Sequence, residues 1–288
     1  MLQSILVPLT GFATDNAALD MAYRAGRLFD SHIECLWVRP APAHFTAGAV
    51  ESRFVNEASA ALFAADDELR TAAARIAFAE FCEKSRIPLA NEPPAAKGMS
   101  AALRETTGDA VEMTIAQSRI HDLVVLARAP SASHLSTRGI GSVLVGSGRP
   151  VLLASDGLHE NFARTIAIAW KDTPEAARAL SMSMPFLEKA EKIVVFSVLE
   201  GGAKHSAAGD SADRIATTLR WNGLKAEAHS IPSAGQTAPE AVLSATRICG
   251  ADLLVMGGYG HGRARELAFG GFTQHMLAAC PLPLLMVH

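Results

Sequence analysis

The sequence predicts two tandem α/β domains, each a doubly wound parallel sheet with helices on both faces. Three observations carry this reading. Short apolar runs alternate with alanine-rich helical stretches, the pattern of strands joined by crossover helices. The same order of elements runs twice along the chain. A glycine-rich segment follows an apolar run directly in the second half, as loops do where a sheet meets a ligand. At 288 residues, with 49% hydrophobic and 19% charged residues, the chain is long and apolar enough for two cores of ordinary size.

The elements match in order. The first half opens on the apolar run 4–9, and the second on 165–169 with Trp170. Alanine-rich helical stretches follow at 16–22 and 174–180, and second strands at 33–38 and 193–198. Each half then carries an Asp-led apolar strand, 122–126 and 252–256. Each closes on a proline and a last strand, after Pro150 and after Pro283. The polar stretch 155–161 separates the copies, giving domains 1–157 and 162–288. Right-handed crossovers and a reversal of strand order predict a ligand crevice at the C-terminal ends of the central strands. The last strand, 282–288, is a β edge open to pairing.

The first half holds one extra helical stretch. Phe54, Ala58, Leu62, Ala65, Leu69, Ala72 and Ile76 recur every three or four residues, whereas Asp66, Asp67, Glu68 and Arg70 lie largely away from them. This spacing predicts a long helix packed on the sheet through that apolar stripe.

In the second half, the strand 252–256 runs into Gly257-Gly258-Tyr259-Gly260-His261-Gly262-Arg263, and Gly270-Gly271-Phe272-Thr273 follows. Glycine lets backbone turn sharply and approach a ligand closely, and exposed N–H groups at a helix start attract an anion. The arrangement Gly-x-x-Gly, nine residues, then Gly and a small residue is similar to the ATP-binding signature of the universal stress protein family. Gly257, Gly260 and Gly270 fall on it in register, and Thr273 stands where that family has a hydroxyl residue. Gly271 replaces the usual Ser or Thr after the third glycine. The segment from Ala169 to Glu175 also resembles the family, so nearly the whole chain resembles a tandem universal stress protein, with an adenine nucleotide alpha hydrolase-like fold.

The first copy departs from the signature. Arg128 and Ser131 stand at its first two glycine positions, and Pro130 has no N–H to donate. Gly141-Ser142 remains. The first copy is therefore expected to have lost the nucleotide site.

The resemblance implies that the second copy binds ATP or AMP, which Mg2+ can accompany. Ala169, Trp170 and Lys171 would line the end of its first strand, with Val198 near the base and Met256 just before the glycines. Gly257, Gly260, Gly270 and Gly271 would offer backbone N–H groups, Thr273 a hydroxyl beside Phe272, and His261 and Arg263, flanking Gly262 of the same site, would face the terminal phosphate. Lys171 stands where relatives have an acid. Three functions stay open: a nucleotide-responsive stress sensor or regulator, a nucleotide-independent protein-interaction module, and slow ATP hydrolysis. No residue is assigned a catalytic role. Single-copy relatives pair as dimers, so pairing of the two domains within the chain is expected, and a homodimer is compatible with it.

Other classes are disfavoured. A net charge of −3 without long basic runs argues against nucleic acid. No apolar run approaches the ~20 residues of a membrane span. The N-terminus enters a strand without a charged start or cleavage site, so a cytoplasmic location is expected. Cys35, Cys82, Cys249 and Cys280 are far apart and read as buried thiols, and neither they nor the ten histidines announce a metal site. Neither a P-loop nor a G-x-S-x-G elbow is present.

Overall fold

A computed structural model of the chain describes residues 2–40, 57–92, 98–131, 133–155, 161–199, 207–232, 235–258 and 271–288. The chain divides into two compact units, Met1–Arg149 and Pro150–His288.

The first unit runs β1 (Ser4–Leu9), α1 (Asp15–Arg27), β2 (His32–Pro40), α2 (Glu57–Ser85), β3 (Ser100–Gly108), α3 (Ala110–Ser118), β4 (Leu123–Leu126) and α4 (Thr137–Ser147). Its four strands are all parallel, in the order β3-β2-β1-β4. All four residues of β4 are buried, as expected of a strand covered on both faces.

The second unit begins with β5 (Val151–Leu153) and continues β6 (Thr165–Ala169), α5 (Pro174–Leu187), β7 (Lys192–Leu199), α6 (Ala207–Trp221), β8 (Ala226–Pro232), α7 (Ala238–Cys249), β9 (Leu253–Gly257), α8 (Gly271–Ala279) and β10 (Leu284–Val287). The strand order is β5-β10-β9-β6-β7-β8. Every pairing is parallel except β5 with β10, where Leu284 faces Leu153 and Met286 faces Val151. The expected open edge at 282–288 is thus covered by an antiparallel strand, which satisfies its outward N–H and C=O groups.

The repeat has a physical signature beyond strand order. Asp122 and Asp252, which lead the two matching apolar runs, make equivalent bonds. Asp122 Oδ2 accepts from the N–H groups of Gln3 and Ser4 at 2.8 and 3.0 Å. Asp252 accepts from those of Arg164 and Thr165, each at 3.2 Å. One carboxylate thus pins the start of β1 to β4, and the other the start of β6 to β9.

Helix boundaries follow their caps. Thr173 precedes α5, its Oγ1 accepting from Ala176 N–H at 3.3 Å, with Pro174 in the first turn. Gly148 and Gly250 end α4 and α7 with positive φ of 66° and 67°, a conformation glycine adopts without strain.

The long helix α2 corrects one expectation. The stripe read as its inward face points to solvent: Leu62, Leu69 and Ile76 are 72%, 71% and 57% exposed. The inward face is instead Thr71, Ala74, Phe78, Phe81 and Cys82, all buried, with Arg70 half-buried. Apolar residues lie on both sides of this helix, so periodicity alone selected the wrong one. Phe54 lies outside the described residues.

Of the four cysteines, Cys35, Cys82 and Cys280 are buried free thiols as expected, whereas Cys249 is half-buried. Burial pushes the Cys35 thiol well above its ordinary value and those of Cys82 and Cys249 upward, so these thiols stay protonated near neutral pH.

Candidate functional site

The strand order of the second unit reverses between β6 and β9: the chain leaves β6 towards β7 and β8, then returns to β9 on the other side. At such a point the loops beyond the two strands diverge and leave a crevice at their C-terminal ends. Most described residues singled out in the sequence stand there. Ala169 is paired with Met256 in β9 and with Phe196 in β7. Val198 is half-buried near the end of β7, and Met256 is buried. Lys171 is exposed beside Asp172. Gly271, Phe272 and Thr273 form the first turn of α8, with Gly271 exposed and Thr273 buried. Gly260, His261, Gly262, Arg263 and Gly270 lie outside the described residues.

Gly257 has a structural reason to be glycine. It sits in β9 opposite Val287, directly against the first turn of α5. A β-carbon there would lie 2.6 Å from the backbone N of Ala176 and 2.7 Å from the carbonyl carbon of Glu175. The glycine therefore lets the start of α5 close onto the strand end, bringing a helix N-terminus and its partial positive charge to the crevice. The next N–H, that of Gly258, is already committed to Val287 O at 2.8 Å.

Trp170 is 8% exposed, and its indole N–H donates to Ser211 Oγ of α6 at 2.8 Å. Its backbone N–H donates to Phe196 O at 2.7 Å. The ring is thus a fixed wall anchored on α6.

Ser197, which the sequence reading passed over, lies one residue before Val198. Its Oγ is buried and has no hydrogen-bond partner among the described residues. A hydroxyl left unsatisfied in a core is costly and suits a site that takes a polar group. The available signal was a lone serine within the apolar run 193–198.

The equivalent crevice of the first unit, between β1 and β4, is filled by the chain's own side chains. Pro8 pairs with Leu36 as Ala169 pairs with Phe196, so Trp37 is the counterpart of Ser197. Trp37 is fully buried and its Nε1–H donates to Thr71 Oγ1 of α2 at 3.2 Å. One residue along α2, Arg70 packs so closely on Gly11 that a β-carbon there would stand 2.7 Å from its backbone O. Gly11 also has φ +72°, so this turn needs glycine twice over. The Arg70 guanidinium lies 4.3 Å from the centre of the Phe12 ring.

A carboxylate completes the plug. Asp15, at the start of α1, accepts from Thr10 N–H at 2.9 Å, Thr10 Oγ1 at 2.6 Å and Gly11 N–H at 2.8 Å. Backbone donors at the end of β1 that could meet an anion are therefore occupied from within. Burial pushes the Asp15 carboxyl above the ordinary aspartate value, and the bonds from Thr10 and Gly11 draw it part of the way back. Beside this cluster, burial and the Arg70 charge hold the His134 imidazole below its ordinary value.

Among the described residues no group of three or more His, Cys, Asp or Glu side chains is placed to hold a metal ion. None of the described helices is long and apolar enough to cross a membrane.

No protein-family model and no curated protein matches the sequence. Solved structures do match. A universal stress protein from Archaeoglobus fulgidus superposes with a TM-score of 0.71 at 18% identity, over 99% of this chain and 95% of its own. A putative universal stress protein from Pseudomonas aeruginosa gives 0.57 at 16% identity, over 99% and 93%. A functionally unknown protein from the same species gives 0.56 at 16% identity, over 99% and 92%. With both copies covered by one superposition, the chain carries the tandem universal stress protein fold.

Proposed function

We propose that this chain is a tandem universal stress protein whose second unit binds an adenine nucleotide, ATP or AMP, and whose first unit does not. Binding makes it a nucleotide-responsive sensor or regulator in a stress response. The observation that carries the reading is the contrast between two equivalent crevices. Trp37, Arg70, Phe12 and Asp15 fill one, whereas the other has an unsatisfied Ser197 hydroxyl, an exposed Lys171 and a helix start drawn in by Gly257. The phosphates meet the glycine-rich loop and the first turn of α8, while base and ribose lie along Ala169, Trp170 and Val198. Mg2+ would accompany the phosphates. Lys171 supplies a positive charge where relatives have an acid.

Calorimetric titration of ATP, and separately AMP, into nucleotide-free protein tests this. Saturation is expected at one nucleotide per chain and lost in Gly260→Val. Gly271→Ser gives a sharper check. Among the described residues, a β-carbon at Gly271 would meet no atom within 4 Å, so serine fits and returns the missing hydroxyl. Its hydrogen bond to phosphate is expected to tighten ATP binding by about tenfold, or ~1.4 kcal/mol, with thermal stability unchanged. Absence of binding by either nucleotide at millimolar concentration would reject the proposal in favour of a nucleotide-independent interaction module.

A further inference from the structure

The outward face of α2 carries a pattern that burial within the unit does not use. Leu62, Ala65, Leu69, Ala72, Ile76 and Ala79 are all exposed and follow one another at alternating steps of three and four. That is the spacing of a two-stranded coiled-coil seam. Large and small residues alternate along it: leucine or isoleucine at one seam position, alanine at the other. The seam extends over roughly 26 Å of helix.

We propose that this seam pairs with the same seam of a second copy of the chain, the two helices running antiparallel about a two-fold axis between Arg70 and Thr71. The alternation selects both occupant and direction. Antiparallel pairing sets Leu62 on Ala79, Ala65 on Ile76 and Leu69 on Ala72, so each layer joins one large and one small side chain. Parallel pairing in register would stack Leu on Leu and Ala on Ala, leaving alternate layers crowded and void. Charge agrees. Glu68 and Arg75 immediately precede Leu69 and Ile76 on one flank; within the chain Glu68 lies 3.6 Å from Arg39 and Arg75 2.6 Å from Glu105, and their side chains remain 70% and 53% exposed, so a contact across the seam would extend these ion pairs. Antiparallel pairing brings Glu68 opposite Arg75 of the second copy, and the two-fold repeats that contact.

A single helix face is smaller than the ~1,600 Å2 of a standard interface, so the dimer is expected to be weak, with Kd on the order of 10 μM. Sedimentation velocity of the full chain between 2 and 200 μM should show a concentration-dependent shift from monomer to dimer. Leu69→Glu puts a charge at the centre of the seam on an exposed site, so it should leave the circular dichroism spectrum intact and abolish the shift. Orientation is read by oxidation of Leu69→Cys and Ala72→Cys chains, alone and mixed. Disulfide dimers forming mainly in the mixture support the antiparallel pairing, and dimers forming mainly from Leu69→Cys alone overturn it. A wild-type chain that stays monomeric at 200 μM, with the seam left for another protein, overturns the proposal. A dimer that persists in Leu69→Glu does so too, because it would use another surface.

Discussion

Replacing Gly257 with valine is expected to lower the stability of the second unit by about 3 kcal/mol, because the new side chain has no room. The atoms it would strike are the backbone N of Ala176 and the carbonyl carbon of Glu175, at 2.6 and 2.7 Å, and backbone cannot rotate aside as a flexible side chain can. The first turn of α5 must lift from β9, disturbing the Thr173 cap and opening the core under Ala176. A loss of this size corresponds to a fall in thermal midpoint of roughly 10 °C, measurable by calorimetry. A midpoint within 2 °C of wild type would contradict the packing described for this glycine. The same change distinguishes the glycines of the signature. Gly257 is set by space between strand and helix, whereas a β-carbon at Gly271 would meet no atom of the described residues within 4 Å.

The second large effect belongs to the first unit. Asp15→Ala removes the acceptor for two backbone N–H groups and one hydroxyl, and Thr10 is buried. Each buried donor left without a partner costs about 1–3 kcal/mol, so a total loss of roughly 4 kcal/mol is expected by denaturant unfolding. The pH dependence has a definite sign. Burial raises the Asp15 carboxyl in the folded state, so the folded chain holds this proton more tightly than the unfolded chain. The stability it contributes is fully present below the unfolded aspartate value and is lost as pH rises through the folded one. Asp15→Ala should remove that component of the pH slope, and a variant as stable as wild type would mean that the crevice is not held closed by this carboxylate.

Much of this architecture was legible in the sequence. The repeated order of apolar runs and helices fixed the strand succession, and parallel pairing follows from the crossovers that the helices impose. The Asp-led runs were visible as a repeated feature. Their cause was not, because the partners of Asp122 lie 118 and 119 residues away. The inward face of α2 was misread for a physical reason. Its buried side mixes Thr71 and Arg70 with Ala74 and Phe78, so the more regular apolar stripe was the outward one. The filling of the first crevice was half visible: Arg128, Pro130 and Ser131 marked a departure from the signature, but the residues that occupy the space come from α1, α2 and the ends of β1 and β2. Ser197 was hidden for the opposite reason, since a single serine in a strand has no local pattern to reveal an unsatisfied hydroxyl.

In the proposed function two equivalent crevices have diverged, one binding a nucleotide and one closed by its own side chains. Photolabelling of the full chain with an azido-adenine nucleotide, followed by peptide mapping, tests it most directly. Label competed away by unmodified ATP is expected in peptides containing 169–173 and 196–199 of the second unit. Label concentrated instead in peptides containing 9–12 or 36–40 of the first unit, or no competable label in either, would contradict the account.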